Sequence, residues 1–199
     1  VQYALDRGHR VSIFNRGRTN PGLFPDAEKL IGDRASDLKA LEGREWDVCI
    51  DNPTTLPKWV RDAGQVLQGK VGQYVFISTC SVYPDLGALP IDESSRVGEL
   101  EDPTVERIDG GTYGPLKVLC ERAAEAALPG RTTVIRPGLI VGDGDTRRLP
   151  ASTSALTMPI STPVDSPWPG QACSVFRSSY PSAPRQAPPH ISSSGASGS

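Results

Sequence analysis

Tyr113 and Lys117 stand four positions apart, the spacing that places two side chains on one face of a helix. An ammonium group held beside a phenol favours the phenolate, which makes Tyr113 a candidate acid/base. Thr79 closes a predicted strand and offers a hydroxyl that could orient a substrate oxygen against the phenol. These three groups suit hydride transfer beside a nicotinamide ring. Taken alone, the pair also fits a surface tyrosine stacked on a lysine stem.

The elements that must position these groups alternate between strand and helix. Apolar runs predict strands at 10–15, 29–31, 47–51, 73–79 and 132–136. Helical patterns cover 1–7, 36–41, 56–68 and 113–127, with Ser36 as the expected cap of the second helix. Strands that alternate with helices predict an α/β fold with a parallel, doubly wound sheet.

Composition excludes several classes of function. The formal net charge of −2 gives no sign of a nucleic-acid surface, and no apolar run is long enough to span a membrane. Two histidines make a histidine-based metal site or catalytic triad improbable, so no metal is expected. The four cysteines lack paired spacing and are interpreted as reduced thiols of a cytoplasmic protein.

Four segments carry a resemblance to a known family: GHRVSIFNRGRT, FISTCSVYPD, YGPLKVLCERA and VIRPGLIVGDGD. In order and approximate spacing they resemble the NAD-dependent epimerase/dehydratase family, the extended or atypical branch of the short-chain dehydrogenase/reductases. The resemblance covers residues 1–148. It implies a Rossmann-like fold, an NAD(P) cofactor, a substrate such as a nucleotide sugar, and a homodimer for the intact family member.

The resemblance also implies roles for individual residues. Thr79, Tyr113 and Lys117 would be catalytic, with Lys117 also bonding the nicotinamide ribose. Ser78, next to Thr79, is a further cofactor contact, although strand alternation lets only one of the two point at the site. The segment Pro137-Gly138 resembles the one that touches the nicotinamide end, with an ordinary turn as its alternative. Pro84 stands where the family usually has glycine.

Other cofactor contacts are expected where strands end. Asn15, Arg16 and Arg18 follow the first strand without an acidic neighbour, which favours NADP over NAD, although an ordinary basic loop explains them equally well. Asp33 is either an adenine contact or a turn former. Asp51 and Pro53 could line the ribose and diphosphate, or simply precede a helix.

The chain shows no glycine-rich turn of the kind that holds a pyrophosphate, and no strand before it. The first strand of such a fold would lie between the strands at 10–15 and 47–51. Without it, the strands at 10–15 and 29–31 are expected to lack a partner linking them to the rest. The sequence therefore predicts an incomplete Rossmann-like sheet with little cofactor affinity.

Composition changes abruptly after residue 149. Residues 150–199 are rich in serine and proline and show no helix or strand period. Such a segment cannot bury enough apolar surface to order itself, so it is expected to be a disordered tail. A shifted reading frame is one hypothesis for its origin, and a proline-rich ligand segment is an alternative.

The sequence is thus interpreted as a truncated Rossmann-like domain, residues 1–149, followed by the tail. The expected function is that of a fragment of an NAD(P)-dependent epimerase, dehydratase or reductase. Two alternatives remain open: a non-catalytic nucleotide- or RNA-binding protein on the same fold, and a non-functional truncated product. The weakly acidic charge argues against RNA.

Overall fold

A computed structural model describes residues 1–52, 55–87 and 90–139, together with the backbone of residues 173–177. The described part contains six strands, three α-helices and two short 3₁₀ helices, the latter at Lys39–Leu41 and Cys80–Val82. The strands are β1 (Arg10–Asn15), β2 (Glu28–Ile31), β3 (Trp46–Asp51), β4 (Val71–Ile77), β5 (Thr132–Ile135) and β6 (Cys173–Arg177). The α-helices are α1 (Gln2–Leu5), α2 (Pro57–Leu67) and α3 (Tyr113–Ala127).

The six strands form one sheet in the order β2-β1-β6-β3-β4-β5. Strand β1 pairs with β2 in parallel, and β3, β4 and β5 form a second parallel set. Strand β6 is antiparallel to both β1 and β3, so β1 to β5 all run in one direction. The carboxyl ends of these five strands therefore lie at the same edge of the sheet.

Helices α2 and α3 pack against each other and cover one face of the sheet. Gly64 permits this contact, because a Cβ added there would lie 2.4 Å from the Cβ of Ala127. The shared core takes apolar side chains from β1 to β4 and from both helices: Phe14, Leu30, Leu41, Trp46, Cys49, Val60, Leu67, Val71, Tyr74, Phe76, Cys120, Ala123, Ala124 and Leu128. A separate apolar cluster forms where α1 packs against Val11 and Ile13 of β1.

The predicted α/β class and the parallel strand pairs are confirmed. One local prediction is wrong: the expected helix at 36–41 shrinks to the 3₁₀ turn Lys39–Leu41, which Leu38 precedes without a side-chain cap. Asp33 and Asp37 instead form an isolated bridge, so Ser36 lies in a turn. Local turn bonds here compete successfully with helix formation.

The expectation that β1 and β2 have no link to the other strands is also wrong. Strand β6 occupies the slot between β1 and β3 and joins the two parallel sets. It lies within the segment predicted to lack regular structure. The remainder of that predicted tail lies outside the described residues. None of the described helices is long and apolar enough to cross a membrane.

Candidate active site

The sequence-predicted site residues gather at the carboxyl edge of the sheet. Asn15 ends β1, Asp51 ends β3, and Ser78 and Thr79 directly follow β4. The segment Pro137-Gly138 lies in the same region, because the Cys80 amide donates to the Pro137 carbonyl over 2.8 Å. The edge at which parallel strands end is where open α/β sheets bind ligands. The fold therefore brings residues from distant parts of the sequence to a common edge.

Tyr113 begins α3 at the mouth of an open pocket. Its ring is 37% exposed, and the pocket has a volume of about 1160 Å³. The next residue must be glycine, because a Cβ on Gly114 would lie 2.0 Å from the Ser81 carbonyl oxygen. This close approach fixes the start of α3 against the 3₁₀ helix Cys80–Val82. Ser81 and Tyr83 line the same pocket.

Lys117 lies one helical turn further along α3, but in the protein interior. Only 2% of the residue is exposed, and its Nζ donates to the Ile77 carbonyl over 2.7 Å. The ammonium also lies 4.2 Å from the centroid of the Phe76 ring, a cation–π contact. Burial lowers the pKa of Lys117 to about 8, while the neighbouring Cys120, Asp51 and Glu121 act in the opposite direction. The bond from Lys117 to a nicotinamide ribose stays a prediction, since only one of its three N–H donors is engaged by the Ile77 carbonyl.

The pKa of Lys117 predicts a rise in stability with pH. The lysine releases its proton at about 8 when folded and at 10.5 when exposed, so above pH 8 the unfolded chain binds more protons. The free energy of unfolding should therefore increase by up to about 3 kcal/mol between these pH values. Urea titrations across this window would measure it. Lys117→Met should flatten the profile, whereas Lys39→Met, at an exposed position, should retain it.

Thr79 and Ser78 occupy different environments after β4. Thr79 accepts a hydrogen bond from the Ser81 amide over 3.1 Å, so its hydroxyl oxygen caps the 3₁₀ helix that follows. Ser78 is 5% exposed, and its hydroxyl has no hydrogen-bond partner among the described residues. A buried hydroxyl without a partner is costly, and a bound water, an ion or a catalytic role are the usual reasons for one. Ser78 thus keeps an unused but buried hydroxyl, whereas the more exposed Thr79 hydroxyl is engaged with Ser81.

Asp51 does not have the open position that the sequence suggested. It is fully buried, and Arg34 binds both of its carboxylate oxygens. The phenol of Tyr74 donates a third hydrogen bond to the same carboxylate. The predicted role of Asp51 in lining the cofactor ribose and diphosphate is not supported by this geometry, because its acceptors are already engaged. Neither Arg34 nor Tyr74 was singled out from the sequence.

A second charged network contacts the pocket through Tyr83, one of its lining residues. Arg136 makes a two-point ion pair with Glu121 of α3, at 3.0 and 2.7 Å, and donates to the Tyr83 hydroxyl over 2.9 Å. The Glu121 hydrogen bonds raise the pKa of Arg136 well above its ordinary value. The network links β5, α3 and the segment after the 3₁₀ helix. A sequence signal existed, since Glu121 continues the four-residue stripe of Tyr113 and Lys117.

The predicted adenosine-side residues lie at the ends of β1 and β2. Arg16 and Arg18 are exposed, and the Asn15 side chain accepts from the Gly17 amide over 2.8 Å. The Asp33 carboxylate accepts from the Ala35 amide over 2.9 Å, which is the turn-forming alternative. Asn15 and Asp33 thus shape turns, and the two arginines remain accessible to an anionic group.

The remaining predicted site residues are Pro137, Gly138 and Pro53. Pro137 and Gly138 are half-buried beside the segment after β4, consistent with a position at the edge. Pro53 lies outside the described residues. In the part of the chain that is described, no cluster of three or more potential metal ligands occurs. Cys80 and Cys120 are free thiols.

Comparison with known proteins leaves this site without a relative. No family model matches the chain, and no curated protein or solved structure matches it either. The geometry of the carboxyl edge is therefore the main indication of function.

Proposed function

We propose that this chain carries the tyrosine-based site of an NAD(P)-dependent epimerase, dehydratase or reductase on a Rossmann-like, doubly wound fold. The main support is the position of Tyr113. Its exposed phenol lies at an open pocket, and one helical turn below it stands the buried cation of Lys117. A proton donor next to a cleft, with a fixed positive charge behind it, is what acid/base catalysis at a hydroxyl or carbonyl carbon requires.

The residues present fit a bound dinucleotide in part. The unpartnered hydroxyl of Ser78 and the accessible guanidinium groups of Arg16 and Arg18 are free to hold polar or anionic groups. Exposed arginines at the end of β1 favour NADP, whose extra phosphate they would contact. Asp51 would not take part, since Arg34 and Tyr74 engage it. When bound, the dinucleotide would supply or accept the hydride.

The chain's own groups would divide the remaining work. Tyr113 would exchange a proton with the substrate oxygen, and Thr79 would help to hold that oxygen near the phenol. Lys117 would stabilise the phenolate from the interior, where low dielectric strengthens a charge interaction. These roles need the lysine to be protonated, which a pKa of about 8 allows at neutral pH.

The pocket suggests a hydroxylated substrate of moderate size. Its volume of about 1160 Å³ lies somewhat above that of typical small-molecule pockets, which leaves room for a ligand larger than a single sugar ring. Charged groups of both signs line it: Asp85, Arg96, Glu99 and Asp109. Arg96 is the lining cation that could bind the phosphates of a nucleotide sugar, and the acidic groups could accept hydrogen bonds from its sugar hydroxyls. The free thiols fit a reducing compartment, and we place the protein in the cytoplasm.

A substrate panel tests the proposal. The purified chain would be incubated with NADP⁺ or NAD⁺ and a set of nucleotide sugars and simple sugars, while cofactor reduction and sugar epimerisation are followed. Turnover of a hydroxylated substrate, faster with NADP⁺, is expected. Turnover of none of them, together with retained dinucleotide binding, would contradict the catalytic proposal and favour the non-catalytic nucleotide-binding alternative. The burial of Lys117 and Asp51 supports that alternative, because neither side chain is exposed to a substrate.

A further inference from the structure

The slot between β1 and β3 holds the one described strand that runs against the others. Strand β6 pairs with Arg10–Phe14 on one side and with Val48–Asp51 on the other. The remaining pairings of the described sheet are all parallel. Parallel neighbours need a crossover connection, whereas antiparallel neighbours do not. The slot thus holds its occupant by strand pairing on both sides.

The strands on both sides of the slot need an occupant. Val11 and Ile13 of β1 are 3% and 6% exposed, and Cys49 of β3 is fully buried. With β6 in place, the strand edges on both sides of the slot are paired, whereas an empty slot would leave both of them unpaired. Two inward-facing strand edges form a template for an extended segment.

The connection to β6 places few demands on the geometry. Residues 140–172 separate it from the rest of the described chain, which is more than enough length to span a domain of this size. Strand β6 is thus joined to the rest of the domain by a long connection. The same backbone hydrogen bonds are available to an untethered peptide, which competes with the tethered one only through its concentration.

We propose that the slot between β1 and β3 is a strand-acceptor site for an extended peptide segment, and that residues 173–177 are its resident occupant. The sequence of these residues, CSVFR, combines a β-branched and an aromatic residue, which favour strands. The kind of partner that fits is a short segment of this composition, bound by strand addition on two sides. This inference does not depend on the proposed redox function.

Val175→Pro in the full chain opens the slot for a test. Position 175 is in register with both Ser12 and Cys49, and proline there removes the one backbone N–H that residue 175 can donate to a ladder. A fluorescent peptide with the sequence of residues 171–179 would be titrated against both chains by anisotropy. The variant should bind it at least about tenfold more tightly than the unchanged chain, because the tethered competitor is disabled. A peptide with proline at position 175 should bind neither chain.

A disulfide test keeps the proposal falsifiable if the proline variant does not fold. In a Cys173→Ser background, Val175→Cys places a cysteine opposite Cys49 in the β3–β6 register. Directly opposed positions of antiparallel strands are close enough for a disulfide. Mild oxidation should link positions 49 and 175, as identified by mass spectrometry. The matched control, Ser174→Cys, pairs with Ile50 instead and should not link to Cys49.

Two results would overturn the proposal. The first is a folded Val175→Pro chain that binds the peptide no better than the unchanged chain does. The second is a cysteine at position 175 that links to Cys49 no faster than the control at position 174.

Discussion

Replacing Tyr113 by phenylalanine should lower turnover of the substrate found in the panel by about 10² to 10⁴-fold, the usual contribution of a positioned acid/base. The variant removes only the hydroxyl, and the exposed position of the ring means that folding should be unaffected. Cofactor affinity should also stay nearly constant, because the phenol is expected to act on the substrate oxygen. Initial rates and dinucleotide titrations on the same preparation would separate the two effects.

The matched control for this substitution is Tyr3→Phe. Tyr3 is also exposed, but it lies on α1, where its ring contacts Arg7. Its replacement should leave turnover unchanged. Equal rates for Tyr113→Phe and the unchanged chain would remove the proposed proton transfer. A loss of cofactor affinity as large as the loss of rate would instead assign Tyr113 to binding.

Removing the carboxylate of Asp51 should have the largest effect on stability. Asp51→Leu leaves the buried guanidinium of Arg34 without its counter-charge and the Tyr74 hydroxyl without its acceptor. Breaking a buried ion pair from one side costs about 3 to 5 kcal/mol. The midpoint of urea unfolding should fall accordingly, with little change in the slope of the transition.

Two further variants sharpen this prediction. The double variant Arg34→Met/Asp51→Leu should recover much of the loss, because a buried apolar pair can replace a buried ion pair at little cost. Asp62→Asn breaks the exposed pair with Lys58 and should cost no more than about 1 kcal/mol. If Asp51→Leu were no more destabilising than Asp62→Asn, the buried network would not be a main support of this edge.

The strands were predictable because their signal is local. Apolar runs fix β1 and β3 within one residue, and the helix that starts at Tyr113 has the predicted bounds. Strand β4 ends two residues before the prediction, because the Thr79 side chain caps a 3₁₀ turn rather than continuing the ladder. The polar residues after each strand could be assigned to one edge, since parallel strands share their direction.

The pairings within the site could not be predicted, because they depend on contacts between distant segments. Nothing in the local sequence indicates that Arg34 reaches Asp51 across 17 positions. The buried state of Lys117 likewise depends on distant residues. It is bonded to the Ile77 carbonyl, 40 positions earlier in the chain, and contacts the ring of Phe76. The five residues of β6 are too short a run, among prolines and serines, to stand out as a strand.

The central claim is that the carboxyl edge of the sheet, with Tyr113 beside it, receives a nicotinamide dinucleotide. An NMR titration of the isotopically labelled chain with NADPH tests it most directly. We expect weak, saturable binding, with a dissociation constant of about 0.1 to 10 mM, and amide shifts confined to Arg16, Arg18, Ser78 and the segment around Tyr113. The opposite edge provides an internal control at Gly43, Gly69 and Gly130. No shifts up to about 10 mM NADPH, or shifts centred on those glycines, would contradict the account.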